Sequence, residues 1–302
     1  MRPNPATPSL LLVAVTLFCV ALSFGILVAA TSVNSLSLRL APTDRDAVLV
    51  THVHDGAVFS EPGPRWATVL KAIGKAPPGL ERPSDWPAPV PVTSADLLPE
   101  PDSLASYAEY DAFLARQSAL ADVMAADAVE LYLQDIFTQE EYTSVLYTDY
   151  REVTALTDGF WLQLLTGVAS LLIAGWVWAL RPRHIGPIMF LISAIGLTCS
   201  TATSALYANR ELALHADVYA LLVPINHLGV VVFGLAMIGL LLSYPRQLVN
   251  PRWFWLLPVI GAAYMVFDTS HVELGLGPSQ LYVFIALAML GILAAIALQW
   301  RA

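Results

Sequence analysis

The sequence predicts a membrane protein: an α-helical bundle of six transmembrane helices carrying one extracytoplasmic α/β domain. Three observations carry that reading. Six apolar runs punctuate the 302 residues. Most of the charge collects in one block between the first run and the second. Arginines flank the runs on alternate sides. Hydrophobic residues make up 57% of the chain and charged residues 13%, against about a quarter charged in soluble domains.

The runs cover residues 10–30, 160–180, 186–207, 218–244, 253–267 and 281–300. A helix needs about 20 apolar residues to cross ~30 Å of hydrocarbon, and only 253–267 falls short. The division is therefore an N-terminal anchor at 1–31, an extracytoplasmic domain at 32–159 and a five-helix bundle at 160–302. Small residues near 28–33 would also suit signal-peptide cleavage, but the run is long for that and an uncleaved anchor is expected. Positive residues are retained in the cytoplasm. Arg2, Arg181 with Arg183, Arg246 with Arg252, and Arg301 all fall at ends that this rule places inside. The expected location is the bacterial inner membrane, multi-pass, with both termini cytoplasmic and the lipid bilayer as the first partner. Trp161, Trp176, Trp178, Trp253, Trp255 and Trp300 sit where interfacial aromatic belts belong.

The block at 31–159 holds 8 Lys/Arg and 20 Asp/Glu, a net charge of −12. So acidic a surface excludes nucleic acid as a partner. It contains no cysteine, since Cys19 and Cys199 both lie in apolar runs. Residues 47–53 (AVLVTHV) alternate as a strand, and His54-Asp55-Gly56 is a turn signal. Residues 66–77 give a second strand ending at Gly74, and 77–101 reads as loop. A helix follows over 103–126, with Asp102 or Ser103 as its N-cap. Residues 129–135 and 142–150 are rich in β-formers and read as a strand pair turning at 136–141. The block has the size of one domain and is expected to fold as a unit.

That order, with residues 47–56, 60–63 and 69–74 followed by helix and hairpin, resembles a PDZ-like domain of the bacterial protease type. The usual Gly-Asp before the second strand is replaced by Arg65-Trp66-Ala67, so a loop for peptide C-termini is not implied. In the membrane half, the strings FWLQLL, WVWALRPR, RELAL, NHLG and YPR resemble the sensor half of competence-type quorum-sensing histidine kinases. The resemblance covers roughly residues 10–302. It implies an extracellular peptide or small-molecule ligand, a homodimer, and an output through a cytoplasmic kinase and response regulator. No H-box helix and no ATP-binding motif is read in this sequence. The expectation is thus a receptor and transmission module of a two-component system, without the catalytic domains that make the relatives kinases.

Five residues are candidates for signal transmission. Asn226 and His227 lie inside a span, where polar residues mark function or interhelical bonding; Pro224 just before them frees a backbone carbonyl. Asp268 ends the short fifth run. It becomes intramembrane if that helix continues to Leu276, and then needs a partner such as His271 or Arg210. Arg210 and Glu211 form either an ion pair at a receptor mouth or a solvated loop pair. His52, His54 and Asp55 have the types of a metal site but too few ligands at too short a spacing, so no metal is assigned. No catalytic motif and no cofactor is read. The alternative function is a small transporter or channel component, resting on Asn226, His227 and Asp268.

Overall fold

A computed structural model describes residues 6–301 apart from 61, 66, 78–85 and 273–276. The readings above that involve Arg2, Trp66, Leu276 and part of the 77–101 loop lie outside the described residues.

The first helix, α1 (Ala6–Thr31), has no charged residue. Thr16 and Ser23 donate their hydroxyls to the carbonyls of Leu12 (2.9 Å) and Cys19 (2.8 Å), which satisfies them without water. Leu17 and Phe24 are 64% and 67% exposed. Such a face suits hydrocarbon rather than water.

The next segment comprises β1 (Asn34–Ser35), β2 (Leu38–Pro42), β3 (Val48–Val53), β4 (Val58–Phe59), β5 (Thr68–Lys75), β6 (Val90–Pro91), α2 (Tyr107–Met124), β7 (Ala128–Asp135), β8 (Glu141–Tyr147) and β9 (Asp149–Tyr150). The main sheet is antiparallel, in the order β2-β3-β5-β7-β8-β4. β6 pairs with the second half of β5, and β3 with the first half. Strand alternation points Val129, Leu131 and Leu133 inward and Glu130, Tyr132 and Gln134 the other way. On β5, Leu70 and Ile73 are both fully buried although three residues apart. A bulge at Lys71 makes this possible, because Leu70 faces Leu133 while Ala72 already faces Tyr132.

Ser106 caps α2 by accepting from the Glu109 amide (3.2 Å), and the Glu109 side chain accepts from the Ala105 amide (3.1 Å). The helix thus starts later than the sequence implied. Asp102 belongs to a separate 3-10 turn, Pro101–Ser103, and is used elsewhere. Leu120, Val123 and Met124 of α2 close the core over Leu36, Val50, Leu70 and Leu131. Two further members of that core, Leu212 and Ala213, come from a distant loop.

β1 and β9 pair with each other, Asn34 opposite Tyr150. The two strands that lead to the membrane helices are therefore zipped together. The stretch 151–159 is ordered: it contains a 3-10 turn, Val153–Ala155, and Thr157 caps α3 (Asp158–Leu180).

The bundle continues with α4 (Ile185–Tyr207), α5 (Ala216–Ser243), a 3-10 helix at Pro251–Trp255, α6 (Leu256–Thr269) and α7 (Gln280–Arg301). Among the described residues five helices are long and apolar enough to cross a membrane: α1, α3, α4, α5 and α7. α6 has 14 residues. The tightest crossing is between α4 and α5. A Cβ on Gly196 would lie 2.7 Å from the Gly229 carbonyl oxygen, and one on Gly229 would lie 2.7 Å from that of Gly196. The two backbones touch there, as small residues allow in membrane packing.

Candidate functional site: the junction between domain and bundle

Two short connections, one from α4 to α5 and one from α6 to α7, meet the extramembrane domain. α5 begins on the same side. Its 28 residues span about 42 Å at 1.5 Å per residue, more than a bilayer core of ~30 Å needs. Its first turns pack on the domain instead: Tyr219, fully buried, meets the Phe113 ring of α2 at 5.8 Å.

The α4–α5 loop is a latch. Glu211 does not pair with Arg210, and neither is a solvated loop charge. The Glu211 carboxyl accepts from the Ser35 hydroxyl (2.7 Å), the Leu36 amide (2.8 Å) and the Leu38 amide (2.6 Å). It thus holds the chain between β1 and β2. Burial pushes its pKa above the usual carboxylate range, although these three donors and Arg151 oppose the shift. Arg210 points the other way along the domain. It donates to the carbonyls of Tyr207 (2.9 Å), Asp96 (2.9 Å) and Leu98 (2.6 Å) and to Gln117 Oε1 (3.0 Å). Its guanidinium lies 5.6 Å from the ring centres of both Phe113 and Tyr219, a cation–π arrangement. Burial lowers its pKa, as it does that of Arg151.

Between Arg210 and Glu211 on one side and Leu214 on the other, Leu212 and Ala213 enter the domain core. Gln117 is the hub beneath them. Its oxygen accepts from Arg210, from the Leu214 amide (3.4 Å) and from the Tyr219 hydroxyl (3.4 Å), while its amide donates to the Asp96 carbonyl (3.0 Å). Asp96 is fully buried and pairs with Arg116. Arg151 extends the latch to the exit strand by donating to the Asn209 carbonyl (2.9 Å).

The second half of the junction is a chamber of about 250 Å³ between α2, α5 and the end of α6. His227 lies at its base. Its Nδ1 is 2.7 Å from Asp268 Oδ2, and its Nε2 is 3.1 Å from Asp102 Oδ2. All three side chains are buried. Asp268 thus takes His227, not His271 or Arg210, as its partner, and Tyr264 donates to its other oxygen (3.5 Å). Ionised carboxylates only accept, so two of them facing both ring nitrogens require a proton on each contact. The three groups together keep one unit of negative charge in that state. Among the described residues, Asp102 Oδ1 is the buried side-chain polar atom that has no hydrogen-bond partner.

Tyr107 and His271 stack at 4.5 Å with an interplanar angle of 14°, and Tyr110 packs edge-on to both. Burial, and next Asp102, push the Tyr110 hydroxyl upward, so it remains a neutral phenol. Gly277 brings the start of α7 onto this wall: its φ is +52°, and a Cβ there would lie 2.7 Å from the Ala105 carbonyl oxygen.

Asn226 is not part of the chamber. It donates to the carbonyl (2.9 Å) and hydroxyl (3.2 Å) of Ser200, an α4–α5 bond beside the glycine crossing. His52 and His54 meet edge-on at 5.2 Å, and His54 lines a small cavity with Arg151, Arg210 and Glu211; burial and then His52 lower the His54 pKa. Among the described residues no three His, Cys, Asp or Glu side chains gather as a metal-holding group.

Comparison with family models, curated proteins and solved structures found no match. The likeness to quorum-sensing kinases rests on its motifs alone.

Proposed function

We propose that the chain is a membrane receptor and transmission module: an extracytoplasmic PDZ-like domain reads a ligand, and a six-span bundle carries the change to the cytoplasmic side. The observation that carries this is the latch. A domain meant only to capture solute near a membrane can hang on flexible linkers. Here the loop between α4 and α5 contributes Leu212 to the domain core, and Glu211 fixes the chain at β1–β2. Any rearrangement of those strands acts on two membrane helices directly. The β1–β9 pair adds α1 and α3 to the same lever.

Six crossings fit the lengths. α6 spans about 21 Å and the preceding five-residue 3-10 helix about 10 Å, together near the ~30 Å required. The arginine distribution supports a domain outside and both termini in the cytoplasm, in a bacterial inner membrane. A PDZ-like reading of the domain draws on its antiparallel sheet closed by one long helix. A ligand shifts such a module only through different affinities for its two states.

The test is a chimera with a histidine-kinase catalytic core continuing α7 in helical phase. Glu211→Gln and a Gly-Ser insertion in 151–159 should each change its autophosphorylation rate relative to the parent chimera. Unchanged rates in both would remove the reading. The buried His227–Asp268 pair between α5 and α6 favours one rival, a transporter. Solute or proton flux through the purified chain in liposomes would support that rival instead.

A further inference from the structure

We propose that the chamber above His227 binds a small organic cation of the alkylammonium type, with Asp102 as its charge partner. The inference deepens the receptor reading and rests on it only for the consequence of binding.

Four features converge. The first is the unused acceptor: Asp102 is 3% exposed, one oxygen holds His227 Nε2, and the other has no partner among the described residues. A buried carboxylate oxygen left unpaired is costly, and a donor in the chamber removes that cost. The second is charge. Asp102, Asp111 and Asp268 line the chamber, and among the described residues no Lys or Arg does. One proton shared through His227 leaves the triad at −1, and Asp111 at the exposed mouth adds to it.

The third feature is the backbone of α5. Pro224 lines the chamber and has no N–H, so it cannot donate to the Ala220 carbonyl one turn earlier, and Ala220 lines the chamber too. The Ala220 carbonyl is therefore left without its helical donor. The fourth is the aromatic wall of Tyr107, Tyr110 and His271. Tyrosine faces attract ammonium groups and cover the attached alkyl chain. A cavity of about 250 Å³ is small for a ligand site and suits an amine of a few carbons, not a peptide.

The experiment is calorimetric titration of the full chain in lipid nanodiscs with n-butylammonium chloride, using n-butanol, sodium butyrate and magnesium chloride as comparison probes. Butylammonium alone should bind, one per chain, and more weakly as salt is raised. Asp102→Asn should weaken it on the order of tenfold or more, the worth of a hydrogen bond to a charged group. Asp111→Asn, an exposed change that leaves the fold intact, should weaken it about two- to fivefold. Absence of butylammonium binding, equal binding of butanol, or competition by magnesium would overturn the proposal. So would an affinity unmoved by Asp111→Asn and, where that variant folds, by Asp102→Asn. Failure here would leave the response of the kinase chimera to latch variants untouched, so the two readings fail separately.

Discussion

The two halves of the junction use the same kinds of residue to opposite ends. In the latch, Arg210 and Glu211 are each surrounded by complementary partners, four acceptors for one and three donors for the other. In the chamber, His227 is saturated on both nitrogens, yet among the described residues one buried oxygen of Asp102 has no partner. A charge with every bond made is a fastener. A charge with one bond left over can take a further donor, which is the role proposed for Asp102. The contrast separates coupling from recognition within a single interface, and it can be tested with matched substitutions.

The largest effect belongs to Arg210. Truncation to Ala would leave three carbonyls and Gln117 short of a donor at once, each worth on the order of 1–3 kcal/mol when buried. A loss of about 3–5 kcal/mol in chemical denaturation of the detergent-solubilised chain is expected. A loss below ~1 kcal/mol would place Arg210 back among solvated loop charges.

Next is Glu211→Gln, which replaces an acceptor with a donor facing the Leu36 or Leu38 amide. The same assay should show a loss of about 1–3 kcal/mol. The smallest effect should come from the matched change in the chamber. Asp102→Asn removes one carboxylate from a triad with surplus negative charge and leaves a neutral His227–Asp268 pair. Stability should move by less than ~1 kcal/mol, in contrast to the general cost of breaking a balanced buried pair. If Asp102→Asn destabilises as much as Glu211→Gln, the chamber is a fastener too.

Much of the architecture was legible because it depends on local pattern. The five long apolar helices follow from run length, and β3, β5, β7, β8 and α2 from alternation and helical spacing. α6 was legible only as a short run, since it has 14 residues and a separate 3-10 helix precedes it. The junction was legible in part. His227, Asp268, Arg210 and Glu211 stand out as charges in or beside apolar runs, but their partners do not. Glu211 binds residues more than 170 positions away, and His227 binds Asp102 across 125. Nothing local distinguishes Asp102 from a helix cap, which is how it reads in sequence. Gln117 is equally silent, since a glutamine on a helix is ordinary until its surroundings close over it. Leu212 carried a faint signal: an apolar residue in a three-letter core, Leu-Ala-Leu, within a short loop that had no need of one.

The central claim is that the domain and the bundle move as one body through the latch. Amide hydrogen exchange of the full chain in nanodiscs tests this at Leu36 and Leu38, whose N–H groups Glu211 alone accepts across the junction. The account expects both amides to be protected to the level of the β5–β7 core, and both to lose that protection in Arg210→Ala, where the loop that carries Glu211 is released. Exchange at the rate of an exposed loop in the unsubstituted chain, or protection that Arg210→Ala leaves unchanged, would contradict it.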